Sequence, residues 1–193
     1  MSLSEERSRA VSTAVDKIRN IFDGKQPDQK LLDAAKSHLL ELAKLEHLFT
    51  LNDFSPPEEG SDRNSCLYRL AEDLDHRFAL YVNVANGAVN APPHDHTTWA
   101  VIVGVLGQER NKFYSKTSDG VQVTNEKMVE KGSGVTLMPD DLHSIHIEEG
   151  APVLNFHMYG LALEQLPGRN YWSAPKKTWK TFPPHTDIRE ARS

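Results

Sequence analysis

From Arg77 onward the apolar residues stop recurring every three or four positions and begin to alternate, and no helical pattern returns. Phe78, Leu80, Val82 and Val84 fall on one side of a strand, and Arg77, Ala79, Tyr81 and Asn83 on the other. Trp99 to Gly107 is a nearly continuous apolar run ending at glycine, the pattern of a strand buried on both faces. Shorter strands are expected around Lys112-Phe113-Tyr114, Val121-Gln122-Val123, Met128-Val129 and Val135 to Met138, with turns at Ser118-Asp119-Gly120 and Gly132-Ser133-Gly134. After Glu148-Glu149-Gly150-Ala151-Pro152 the alternation resumes, with Val153, Asn155, His157 and Tyr159 on one face and Leu154, Phe156 and Met158 on the other. Many short strands with no helices between them close as an antiparallel sandwich or barrel. The polar face of the last strand implies that it lines a cavity.

Ahead of this body lie two helical stretches. In the first, Val11, Ala14, Val15, Ile18, Ile21 and Phe22 recur at helical spacing, and Ser2 with Glu5 forms a capping-box pattern. In the second, Asp28 is placed to cap a stripe of Leu31, Leu32, Ala35, Leu39, Leu42 and Ala43. His38 and His47 fall on or near its polar face and are not read as ligands. Ser55 to Ser61, with two prolines, reads as a loop. The 193 residues suffice for one hydrophobic core, so a single domain is expected: a helical segment over 1–50, a β-barrel over 66–171 and a tail over 172–193.

Charge narrows the partners. The formal net charge is −5, and the 22 Lys and Arg residues are scattered without a basic stripe, which argues against nucleic acid. No segment is long and apolar enough to span a membrane, and the first residues lack a signal peptide's apolar region, so a cytoplasmic location is expected. The one cysteine, Cys66, rules out an internal disulfide framework, fits a reducing compartment and reads as a small buried residue. Oligomeric state is not readable.

His94-Asp95-His96 sits between Pro92-Pro93 and the apolar run, where a loop enters a core strand. In extended chain, residues two apart project to the same side, so both imidazoles can grip one ion while Asp95 faces away. A third neutral imidazole would complete an open-faced site with positions left for exogenous ligands. The segment Leu142-His143-Ser144-Ile145-His146 offers two candidates on opposite faces of one strand, of which only one can point at the pair.

Taken together, Pro93-His94-Asp95-His96-Thr97, the glycine-terminated strand, Asp141-Leu142-His143 and His157-Met158-Tyr159 resemble a cupin of the cysteine dioxygenase family of thiol dioxygenases, over roughly residues 66 to 171. The resemblance implies a mainly β fold, a cupin double-stranded β-helix barrel of jelly-roll type with two N-terminal α-helices packed against it. It selects His143 over His146 and implies His94, His96 and His143 as ligands of Fe(2+). The glutamate that general cupins place shortly after the histidine pair is replaced by Thr97 to Val101, as in the three-histidine members.

An uncharged ligand set leaves ferrous iron electrophilic toward an anionic thiolate. The implied reaction takes a small mercapto carboxylic acid, such as cysteine or 3-mercaptopropionate, and O2 to a sulfinic acid. By resemblance, Arg69 or Arg169 fixes the substrate carboxylate, with Arg77 a further possibility if the intervening gap is placed differently. His157 and Tyr159 are the catalytic pair of a Ser-x-His-x-Tyr relay in which Asn155 replaces the serine, an outer-shell change. Trp99 and Ala100 occupy the region where animal members carry a crosslinking cysteine, so no thioether is expected. Two other readings stand beside this one: a different metal-dependent cupin enzyme, such as a ring-cleaving dioxygenase or isomerase, and a non-catalytic cupin that binds a small ligand.

Overall fold

The structure, a computed structural model, describes residues 2–58, 60–150, 152–182, 185 and 188–190. Helix α1 spans Leu3–Phe22 and α2 spans Gln29–Ala43. Ser2 accepts from the Glu5 amide while Glu5 reaches back to the Ser2 amide, closing the expected capping box, and Asp28 accepts from the Leu31 amide. Each such cap stabilises its helix by about 1 kcal/mol. Asp23, in the left-handed region at φ 44°, ends α1.

Among the described residues twelve strands follow: β1 Ser65–Ala71, β2 Arg77–Ala85, β3 Val89–Asn90, β4 Ala100–Leu106, β5 Gln108–Thr117, β6 Gly120–Glu130, β7 Gly134–Leu137, β8 Leu142–Ile147, β9 Val153–Leu161, β10 Asn170–Ser173, β11 Thr178–Thr181 and β12 Ile188–Glu190. They form a six-stranded sheet, in the order β12-β1-β2-β9-β4-β7, and a four-stranded sheet, in the order β3-β8-β5-β6. Successive strands pass from one sheet to the other, as β4 to β5 and β8 to β9, which is the jelly-roll winding of a double-stranded β-helix. β10 and β11 form a separate hairpin, and β12 pairs in parallel with β1. The expected mainly β barrel with two N-terminal helices is therefore present.

The alternation in β2 and β9 separates two cores. Phe78, Leu80, Val82, Phe156 and Met158 face outward and meet Val15, Ile18, Phe22, Leu32 and Leu39 of the helices. Ala79, Tyr81 and Tyr159 face the barrel interior with Ile102 and Leu137. The central strands of the large sheet are thus buried on both faces, which explains the near-continuous apolar reading of β4. Phe22 stacks on Trp99 with centroids 4.8 Å apart, pinning the end of α1 to the start of β4. Gly160 is required beneath that stack, since a Cβ there would lie 2.4 Å from the Trp99 Nε1. Gly107, at φ 75°, makes the turn from β4 into β5.

Two parts of the topology differ from the alternation pattern. β1 precedes Arg77 and carries mixed polar residues, so it lacks a clean period. β10 to β12 fall in or beside the expected tail; Pro183 and Pro184 of that tail lie outside the described residues. No helix among the described residues is long and apolar enough to cross a membrane.

Candidate metal centre

His94 is held against His143 by a reciprocal pair of backbone hydrogen bonds, His94 N to His143 O at 2.8 Å and His143 N to His94 O at 3.0 Å. The histidine pair therefore lies as an added rung beside β8, and the three imidazoles converge inside the barrel. Their ring centroids are 4.6 to 4.9 Å apart, and one ligand atom from each lies within 4.8 Å of the others. Thr97, at φ 56°, is a β-branched residue in the left-handed region, and it turns the chain from this rung into β4. Strain of this kind persists where surrounding structure imposes it.

Hydrogen bonding fixes two of the rings. His94 Nδ1 lies 2.8 Å from the Pro92 carbonyl and must donate to it, which leaves the Nε2 lone pair for a ligand role. His143 Nδ1 lies 2.8 Å from the Asn111 side-chain oxygen, with its Nε2 facing the cluster 3.3 Å from His96 Nε2. Two nitrogens bound to one divalent ion at about 2.0–2.1 Å would be about 2.8–3.4 Å apart at right-angle to tetrahedral geometry, so the spacing fits. All three rings are buried. Burial pushes His94 down to about 4, and burial together with His94 pushes His96 and His143 well below the ordinary histidine value. Three neutral imidazoles are the protonation state that a metal requires. His146 lies outside the barrel, bonded to Asn90 and Ser144, and does not join them.

The cluster opens on a cavity of about 780 Å³ whose walls include His94, His96, His157, Tyr159, Arg169 and Phe182. Arg169 is 8% exposed, and its Nε has no hydrogen-bond partner. Burial lowers its pKa from the ordinary arginine value, and Asp95 works in the opposite direction without forming an ion pair with it. Its guanidinium lies over the Phe182 ring at 5.3 Å. The turn bearing Arg169 is tied to the histidine segment: the Asp95 amide donates to the Asn170 carbonyl at 3.0 Å, and the Asp95 carboxylate accepts the Asn170 amide at 2.9 Å. The residue between the two histidines, facing away from the metal position, thus registers Arg169 against it.

Arg69 is placed elsewhere. Its guanidinium pairs with Glu164 and, at 3.0 Å, with Glu72, and it is not part of the cavity wall. A guanidinium already neutralised by two carboxylates has no charge left to offer an anion, so of the two expected substrate arginines only Arg169 meets the cavity. Arg77 lies over its neighbour Phe78 at 5.3 Å and likewise stays outside.

Asn155, His157 and Tyr159 project into the barrel as the alternation predicts. His157 Nδ1 lies 3.2 Å from the Tyr159 hydroxyl, and the Tyr159 ring packs on His96 with centroids 5.3 Å apart. Burial raises the Tyr159 pKa, so the phenol stays protonated at neutral pH. Asn155 donates to Glu109 at 3.0 Å rather than to His157. Glu109 and Asn111, both fully buried on β5, are the site residues that sequence reasoning misses. In Gln108-Glu109-Arg110-Asn111-Lys112 they read as part of a solvated charged run, and only their two-residue spacing hints at a shared inner face. Cys66 is buried, as expected of a small core residue.

No family model and no curated protein matches the sequence. Among solved structures, an oxalate oxidase aligns at 13% identity over 72% of this chain and 69% of its own, with a TM-score of 0.48. A DMSP lyase from Ruegeria pomeroyi aligns at 13% identity over 60% of this chain and 57% of its own, with a TM-score of 0.44. A protein with a double-stranded β-helix domain from Klebsiella pneumoniae aligns at 14% identity over 63% of this chain and 92% of its own, with a TM-score of 0.43. The chain spans only 38% and 57% of the length of two DMSP lyases that it matches. At such identities the likeness is one of chain path and carries nothing about activity.

Proposed function

We propose that this protein is an iron(II)-dependent thiol dioxygenase that converts a small mercapto carboxylic acid and O2 to the corresponding sulfinic acid. The observation that carries the reading is the pairing, across one cavity, of three neutral buried imidazoles with a buried arginine that forms no ion pair with any described residue. A metal held only by neutral ligands attracts a thiolate, and a buried guanidinium without an ion pair attracts a carboxylate. A short mercapto acid presents both anions on one molecule. Ferrous iron at His94, His96 and His143 would supply the redox chemistry through which dioxygen, with its unpaired electrons, can react with a thiolate.

Arg169 binds the substrate carboxylate through its planar fork, and the Asp95 clamp keeps that fork at a constant distance from the histidines. Tyr159, protonated and beside His96, offers a hydrogen bond to a group bound near the metal position, and His157 orients the phenol. In the net reaction both oxygen atoms of O2 are added to sulfur, which is oxidised as dioxygen is reduced, and no external reductant is consumed.

The test is oxygen uptake by anaerobically iron-loaded protein offered cysteine, 3-mercaptopropionate and cysteamine in parallel, with mass spectrometry of the products. Uptake with the two carboxylates but not with cysteamine, and a product heavier by two oxygen atoms, is the expected result. No uptake with any thiol, in protein shown to hold iron, would overturn the reading in favour of another metal-dependent chemistry.

A further inference from the structure

Glu109 is a fully buried carboxylate in the barrel wall, and nothing in the reaction above uses it. Its two oxygens are committed differently. Oε1 accepts the Asn111 side-chain amide at 2.8 Å. Oε2 accepts the Asn155 amide at 3.0 Å and faces His157 Nε2 at 3.7 Å, within ion-pair range but beyond a hydrogen bond. Asn111 in turn presents its side-chain oxygen to His143 Nδ1 at 2.8 Å. A chain of short contacts therefore runs from Glu109 through one amide to an imidazole of the metal centre.

Donor and acceptor chemistry allows only one polarity along that chain. An ionised carboxylate accepts and cannot donate, so Asn111 must turn its NH2 group toward Glu109. The Asn111 oxygen is then the atom that meets His143, and Nδ1 of that ring must carry the proton. Nε2, the nitrogen facing His94 and His96, is left with its lone pair. An uncharged residue at 109 would let the amide flip, and a flipped amide would put the proton on Nε2, the nitrogen that must be bare to bind a metal.

We infer that Glu109 is a positioning residue of the metal centre, which sets the proton position on His143 by locking the orientation of the Asn111 amide. The inference rests on the three-histidine site of the proposed function but not on the identity of the substrate. Burial alone would push the Glu109 carboxyl up, yet the facing His157 and the two amides outweigh burial and hold it below the ordinary glutamate value, so it is ionised as the chain requires. Asn155 serves the same carboxylate, its amide donating to Oε2.

The experiment is 15N NMR of histidine-labelled, metal-free protein, joined with Co(II) affinity measured by titration. Wild-type protein is expected to show His143 protonated at Nδ1; a proton on Nε2 would overturn the inference before any variant is made. In Glu109→Gln the His143 proton should shift toward Nε2, and Co(II) affinity should fall by about 10- to 100-fold. The double variant Glu109→Gln/Asn111→Asp exchanges amide and carboxylate across the same hydrogen bond, and it should restore both the Nδ1 proton and most of the affinity. A folded Glu109→Gln protein that loses thermal stability while keeping the wild-type tautomer and affinity would show that Glu109 only satisfies its neighbours, and the inference would fail. A double variant no better than the single one would sink it equally. None of these readouts involves thiol turnover, so an absence of dioxygenase activity leaves the inference standing on its own evidence.

Discussion

Replacing Arg169 by methionine should impair binding and raise stability in the same molecule. The guanidinium is buried, lies on Phe182 and has an Nε without a partner. A hydrogen bond from a charged group contributes about 1.5–3 kcal/mol; with each of two prongs at the lower end of that range, about 1.5–2 kcal/mol, losing the grip on a carboxylate should cost about 3–4 kcal/mol of binding. That corresponds to a fall of about 150- to 1,000-fold in kcat/KM for 3-mercaptopropionate. In the ligand-free protein the same substitution removes a buried cation that forms no ion pair with a described residue; replacements of buried ionic groups by apolar residues are neutral or stabilise by about 1–4 kcal/mol. The contact over Phe182 contributes about 1 kcal/mol in the other direction, and a methionine thioether recovers part of it. A net gain of about 1–2 kcal/mol remains, and each kcal/mol raises Tm by about 2–4 °C in a chain of this size. Thermal melting without substrate and initial rates of oxygen uptake measure the two effects separately. A lower Tm together with unchanged kcat/KM would refute the argument, because it would mean that Arg169 holds the fold together and binds nothing.

Acid should destabilise the metal-free protein between pH 6.5 and about 4. The His94 pKa is depressed on folding, so the unfolded chain takes up the proton first as pH falls; stability is complete above 6.5 and about 3 kcal/mol is lost from this ring alone by pH 4, as urea titrations across that range would show. Occupancy of the centre should stabilise the fold, by about 2.7 kcal/mol at a hundredfold excess of metal over Kd; a melt with and without chelator checks this, and equal midpoints would contradict a metal site. Gly160→Ala should cost at least about 1–3 kcal/mol, because its Cβ would sit 2.4 Å from Trp99 Nε1; an unchanged denaturation midpoint would count against the packing described. Tyr159→Phe should lower kcat by about 100-fold with little change in KM, since the phenol acts during reaction and Arg169 holds the substrate; a change confined to KM would move Tyr159 to binding.

Much of the barrel is legible in the chain because its larger sheet is buried on both sides. β2, β4 and β9 alternate between a helix-facing core and the barrel interior, which shows as period-two patterning in β2 and β9 and as a near-continuous apolar run in β4. The two helices announce themselves through Ser2 and Asp28, local caps that need no tertiary contact. His94 and His96 are visible because extended chain puts residues two apart on one side, and the polar face of β9 because Asn155, His157 and Tyr159 interrupt an otherwise apolar alternation. β1 and β12 are not legible: β12 pairs in parallel with a strand more than a hundred residues away, and no local pattern records that register.

Sequence alone, then, settles the two helices, the principal strands, the mainly β class and a set of imidazoles capable of meeting, since these depend on periodicity and backbone geometry. Which groups do meet depends on long-range packing. Arg69 and Arg169 are alike as residues, and only the fold supplies Arg69 with Glu72 and Glu164 while enclosing Arg169 in the cavity without an ion pair to any described residue. Glu109 looks like any charge in a run of charges until β5 pairs with β8 and turns it inward against Asn111 and Asn155. A charged side chain reads as solvated in one dimension; whether it is solvated, paired or stranded is decided by neighbours that only the tertiary structure brings to it.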